Sequence, residues 1–168
     1  VGASLGGPRA LATLLGSLPG DFAAPIAVVQ HIAEGFTEGL AAWLDQECAL
    51  SVRVARDGDP LAASTVLLAP AGRHLLVGRG RVRLSDDPPV EGFRPSVTSL
   101  FASAARAHGS RACGVLLTGM GRDGVEGVLA IKRKRGHCLA ESEESAVVFG
   151  MPQEAIRTGA VDKVLPLG

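Results

Sequence analysis

The 168-residue chain lacks any imbalance of charge: 17 Lys and Arg stand against 17 Asp and Glu, so the formal net charge is zero. A neutral chain has no electrostatic footprint for nucleic acid or an anionic membrane, which excludes a polyanionic partner. Cysteine is scarce as well. Cys48, Cys113 and Cys138 are three in number, far apart and without a CxxC pair. Such a set fits reduced thiols in the cytoplasm better than a disulfide framework or a zinc site. No stretch approaches the roughly 18 apolar residues of a membrane span, and the Gly-rich start lacks the basic and apolar regions of a signal peptide. No direct membrane insertion is therefore expected.

What is present is the composition of a folded domain. Hydrophobic residues make up 46% and charged residues 20%, enough to bury on the order of 70% of the unfolded surface and to exclude intrinsic disorder. The length predicts one domain over residues 1–168. The 22 glycines and 10 prolines imply many tight turns, and loops of this kind carry chemistry.

The chain opens on Val1 and "GASLGG" without an initiator Met, so a first strand reads as clipped ahead of a Gly-rich loop. Pro8 begins a helix with Leu11, Leu14, Leu15 and Leu18 at helical spacing, stopped by Pro19-Gly20. "IAVVQ" at 26–30 is a second strand, followed by His31 and a helix that Thr37 is placed to cap. Strands are predicted at 52–55 and 65–69, and 75–77 with 82–84 reads as a hairpin across "GRGR". Pro95 and Ser96 open a helix ending at Gly109. A strand at 112–117 then runs into "TGMGRDG", a helix from Val125 follows, and a strand at 137–140, a short helix from Pro152 and a strand at 161–165 finish the chain. Alternating strands and helices predict an α/β fold: a three-layer α/β/α sandwich, with a doubly wound, mostly parallel sheet and one antiparallel hairpin. In such sheets ligands bind beyond the carboxyl ends of the strands, at a topological switch point.

Three residues fall there. Ser4 lies in "GASLG", which matches the nucleophile pattern G-x-S-x-G; the same glycines also suit a phosphate-binding turn at a helix N-terminus. His31 follows the second strand, where a neutral imidazole can serve as base for a Ser hydroxyl, or be a hydrogen-bonded structural histidine. His74, His108 and His137 read as structural. Asp123, in the glycine-rich loop after the third strong strand, can orient that imidazole or cap the following helix. Together Ser4, His31 and Asp123 can form a triad, in a chain order unlike that of α/β-hydrolases, chymotrypsin or subtilisin. Arg73, Arg94 and Arg122 read as solvated loop cations, "KRKR" at 132–135 as a helix C-terminus complementing its dipole, and Met151 as packing.

These residues resemble the catalytic domain of CheB-type chemotaxis-receptor methylesterases. The resemblance spans nearly the whole chain: "GASLGG", "QHIAEGFT", "LAPAGRHLLV", "RPSVTSLFASAA", "LLTGMGRDG", "VVFGMPQEAI" and "GAVDKVLPL" occur in the family's order. It implies Ser4 as nucleophile, His31 as base, Asp123 as orienting acid, and an oxyanion site built from the Met120 amide with that of Leu5. It further implies a serine hydrolase that removes methyl esters from glutamyl side chains of methyl-accepting chemotaxis receptors, with no cofactor or metal. The same machinery would deamidate a receptor glutamine, and a non-catalytic phosphate-binding or signalling module is the alternative from another class. Leu5 stands where the family usually has Thr, Ala33 where it has Pro, and Glu141 where it has Gln. Full-length members commonly carry an N-terminal receiver domain, so a receiver or another fused regulator is an expected partner. Asp123→Asn is expected to spare the fold and lower turnover by orders of magnitude.

Overall fold

The computed structural model describes residues 1–167. Its elements are β1 (Gly2–Ala3), α1 (Gly7–Gly16), β2 (Ile26–Gln30), α2 (Thr37–Glu47), β3 (Ser51–Val54), β4 (Thr65–Leu68), β5 (His74–Val77), β6 (Val82–Ser85), α3 (Val97–His108), β7 (Cys113–Leu116), α4 (Val125–Arg133), β8 (His137–Glu141), α5 (Met151–Arg157) and β9 (Lys163–Leu165). Seven strands form one sheet in the order β3-β4-β2-β1-β7-β8-β9, with parallel neighbours throughout, while β5 and β6 pair antiparallel as a separate hairpin. This is the expected α/β architecture.

The strand period of two assigns side chains to the two faces. Val28, Val66 and Leu68 pack with Leu11 and Leu15 of α1 and Leu40 and Leu44 of α2. Their sequence neighbours Val29 and Leu67 join Leu100 and Phe101 of α3, Val128 and Ile131 of α4, and Met151 of α5 on the other face. Hydrophobic runs without alternation are thus the mark of strands covered on both sides. Leu75 and Val82 of the hairpin belong to the second cluster, so the hairpin extends that layer. Each fully buried Leu or Val contributes roughly 1.5–3 kcal/mol by leaving water.

Two capping expectations are corrected. Thr37 is the first residue of α2, and Phe36 occupies the cap position without a side-chain bond. Gly124, at φ 104°, precedes α4; Asp123 is bound elsewhere. By contrast Ser96 caps α3, its hydroxyl accepting the Ser99 amide at 3.2 Å. Among the described residues no helix is long and apolar enough to cross a membrane, and the three cysteines are free, with the buried Cys138 thiol pushed up to about 12 by desolvation.

From β1 the chain moves to β2 on one side, and it later returns to β7 on the other. The switch point therefore lies between β1 and β7, where open sheets leave a crevice. Gly2 lets the start of α3 approach β1 closely there: a Cβ on Gly2 would sit 2.3 Å from Val97 Cγ1 and 2.8 Å from its Cγ2. Val97 is β-branched and fully buried, so it cannot swing away. Gly2→Ala is expected to destabilise the fold by about 1–3 kcal/mol through overpacking, read as a lowered denaturation midpoint at unchanged m-value.

Candidate active site

Ser4 and His31 leave adjacent parallel strands at the same level, since Ala3 is in register with Gln30. The loop after β1 is tied to three neighbours. The Ser4 amide donates to the Thr118 carbonyl at 2.9 Å, and the Ser4 carbonyl accepts from the Gly7 amide and from Gln30 Nε2, each at 2.8 Å. Gly6 turns the chain into α1 with φ 78°, in the left-handed region that favours glycine, and a Cβ there would lie 2.7 Å from Val147 Cβ. Among the described residues the Ser4 hydroxyl makes no hydrogen bond, to His31 or elsewhere; such contacts commonly tighten only around a substrate.

His31 and Asp123 are joined directly. His31 Nε2 lies 2.8 Å from Asp123 Oδ2; an ionised carboxylate only accepts, so Nε2 donates, and in the neutral ring the lone pair is then on Nδ1. That Nδ1 is buried and has no partner, leaving it available as an acceptor. Phe93 lies flat against the imidazole, with ring centroids 3.9 Å apart and planes within 2°.

Asp123 is 1% exposed and seated on the N-terminus of α3. Oδ1 accepts from the Ser96 hydroxyl at 2.8 Å and the Thr98 amide at 3.0 Å, and Oδ2 from the Val97 amide at 2.7 Å. Burial alone would raise the carboxyl. The bonds from His31, Thr98, Val97 and Ser96 outweigh that effect and hold it below the ordinary 3.8. The helix dipole acts in the same direction. Asp123 thus meets the start of a helix distant in sequence, not the one that follows it.

The backbone that turns past Ser4 on the β7 side is equally constrained. Thr118 donates its hydroxyl to the Leu5 carbonyl at 2.9 Å and accepts the Val148 amide at 2.9 Å, and its own amide donates to Glu141 at 2.7 Å. Glu141 is buried, and its second oxygen accepts from Ser145 at 2.9 Å. Gly119 follows; a Cβ there would lie 2.7 Å from Ser4 Cβ, so only glycine lets this strand of backbone pass the hydroxyl. Among the described residues neither the Leu5 nor the Met120 amide has a backbone partner, and both side chains are exposed. Leu5 directly follows Ser4, and Met120 directly follows the Gly119 that packs against it; backbone amides without partners are the kind of donor an oxyanion site uses.

Among the described residues none of the remaining sequence candidates hydrogen-bonds the side chain of Ser4, His31 or Asp123. Arg73 and Arg94 are held by Asp86 and the 86–87 carbonyls, and Arg122 lies 4.0 Å from Glu154. Lys132 pairs with Asp162 and Arg133 with Glu126. Met151 is fully buried beneath Gly119. His74 is buried, His108 bonds the Gly78 carbonyl, and His137 is exposed. Among the described residues no group of three or more His, Cys, Asp or Glu side chains could hold a metal ion. Sequence reasoning missed Phe93 and the α3 donors as site residues, although Ser96 carried a visible signal as the cap of a predicted helix.

Comparison with known proteins matches residues 1–168 to the family described as CheB methylesterase. The chain is 65% identical, over 99% of its length, to a protein-glutamate methylesterase/protein-glutamine glutaminase of Anaeromyxobacter dehalogenans, covering 49% of that protein. It is 51% identical to the protein-glutamate methylesterase FrzG of Myxococcus xanthus, over 99% of this chain and 50% of the relative. The chain therefore spans about half the length of these curated relatives. The crystal structure of the Thermotoga maritima CheB methylesterase catalytic domain superposes with a TM-score of 0.95 at 40% identity, covering 99% of this chain and 90% of that one.

The geometry revises one expectation. An Asn at 123 would turn an NH2 group toward buried donors on either side, so Asp123→Asn is expected to cost about 1–3 kcal/mol of stability as well as turnover. Because the native carboxyl lies below its unfolded value, its contribution is complete above about pH 4 and is lost as the pH falls through the native value. Denaturant titrations of wild type and Asp123→Asn should differ at neutral pH, and the difference should shrink as the pH falls below the ordinary carboxyl value.

Proposed function

The chain belongs to the CheB methylesterase family, and from that premise we propose that it hydrolyses γ-methyl esters of glutamyl residues on methyl-accepting chemotaxis receptors, releasing methanol. Residues 1–168 are read as one catalytic domain acting in the cytoplasm, on a helical protein surface, without cofactor. The observation that carries the reading is the His31 ring, bonded at Nε2 to a buried carboxylate and carrying an unpartnered Nδ1 beside the strand that delivers Ser4.

In this mechanism Ser4 Oγ attacks the ester carbonyl while His31 Nδ1 takes its proton. Collapse of the tetrahedral intermediate expels methoxide oxygen, which leaves as methanol with that proton, and an acyl-enzyme remains. Water, deprotonated by the same nitrogen, attacks the acyl carbonyl; the second collapse returns the proton to Ser4 and frees the glutamate. The Met120 and Leu5 amides stabilise each oxyanion, and a donor of this kind is typically worth about 10²–10³ in rate. Asp123 keeps the proton on Nε2 and stabilises the imidazolium, which has to carry a full charge beside a buried acid. A receiver domain or another fused regulator outside this sequence is the proposed source of control.

A second reading has its own support. Relatives bear the double name methylesterase/glutaminase, and the same steps applied to a receptor glutamine release ammonia in place of methanol.

The test is methanol and ammonia release from methylated and glutamine-bearing receptor cytoplasmic fragments. Wild type is expected to release methanol; Ser4→Ala is expected to abolish it, and Asp123→Asn to reduce it by on the order of 10³–10⁴. Methanol release that survives Ser4→Ala, or its absence from a folded wild type on a substrate cleaved by a control esterase, would overturn the reading.

A further inference from the structure

One buried titratable group takes no part in the chemistry above. His74, at the start of β5, is 1% exposed and uses both ring nitrogens on backbone: Nδ1 accepts the Ser96 amide at 3.2 Å, and Nε2 faces the Pro88 carbonyl at 3.1 Å. A carbonyl only accepts, so Nε2 carries the proton and the ring is a neutral, fixed tautomer. Its two partners are the two ends of the loop 88–96. That loop holds Phe93, stacked on His31, and ends in Ser96, whose hydroxyl bonds Asp123 and whose neighbours Val97 and Thr98 supply the other two donors.

We propose that His74 is a positioning residue for the His31–Asp123 pair, locking both ends of loop 88–96 so that Phe93 covers the imidazole while the α3 N-terminus cradles the carboxylate. This rests on the triad reading given above. The β5–β6 hairpin, which stands outside the main sheet, thereby contributes to the site by carrying the lock. The amide of Ser96 precedes the three donors directly, so a shift of the Ser96 backbone displaces all of them together. Misplacement of about 1 Å in a positioning element can cost on the order of 10²-fold in rate.

The two bonds can be separated by substitution. Asn places an oxygen where Nδ1 lies and retains the Ser96 bond alone; Gln reaches the position of Nε2 and retains the Pro88 bond alone; Leu removes both. For the chain of residues 1–168 on methylated receptor fragment, His74→Leu is expected to lower kcat on the order of 10²-fold at unchanged KM. Asn is expected to recover most of that loss, whereas Gln recovers thermal stability without kcat. The low-field proton resonance of the His31–Asp123 bond provides a readout without substrate: it should shift in Leu and Gln and return in Asn. If Leu does not fold, the Asn and Gln variants carry the comparison. The proposal is overturned if kcat merely follows stability across the variants, or if the resonance stays in place in all of them. Failure of the triad reading shows differently, as wild type that releases no methanol while the resonance still responds to His74.

Discussion

A carboxylate taken out of water without partners costs several kcal/mol even after the protein relaxes, and that constraint organises the crevice between β1 and β7. Asp123 is buried, yet four donors converge on it, three of them from the first turn of α3. None is dispensable in isolation, because leaving a buried polar group unpaired costs the whole of its desolvation. The start of α3, the loop carrying Asp123 and the ring of His31 are therefore fixed relative to one another. Gly2 and Gly124 are the steric counterpart: a Cβ at either would collide with Val97, the residue whose amide reaches Oδ2.

The same constraint fixes proton chemistry. An ionised acid accepts only, so the His31 proton facing it has to be on Nε2, which leaves the buried, unpartnered Nδ1 as the basic nitrogen of the neutral ring. The parallel sheet supplies the rest. Strands that all run the same way discharge their loops at one edge, and register between Ala3 and Gln30 sets Ser4 and His31 side by side without any sequence proximity. Thr118 then links the loop after β7 to the Ser4 loop, through the Leu5 carbonyl and the Ser4 amide.

Much of this is legible in the residues. "IAVVQ" predicts β2 to the residue, the hairpin across 78–81 is antiparallel as its turn demands, and Ser96 is a cap. Ser4, His31 and Asp123 all fall at strand ends, which periodicity and Gly-rich punctuation can reveal. What stays hidden depends on distance in space. Asp123 ahead of a helix looks like that helix's cap, and nothing local says that its partner helix begins at residue 97. Likewise His74 and Phe93 read as a structural histidine and an ordinary loop aromatic, because their contacts with Ser96 and His31 span 22 and 62 positions.

That the buried Asp123–His31 pair makes Ser4 a nucleophile is tested most directly by the rate and site of covalent labelling with an organophosphonate ester, followed by mass spectrometry of the intact chain and its peptides. A single adduct on Ser4 is predicted, formed on the order of 10²-fold or more slowly in Asp123→Asn when that variant is folded. An adduct on another residue, or equal rates in the two proteins, would contradict it.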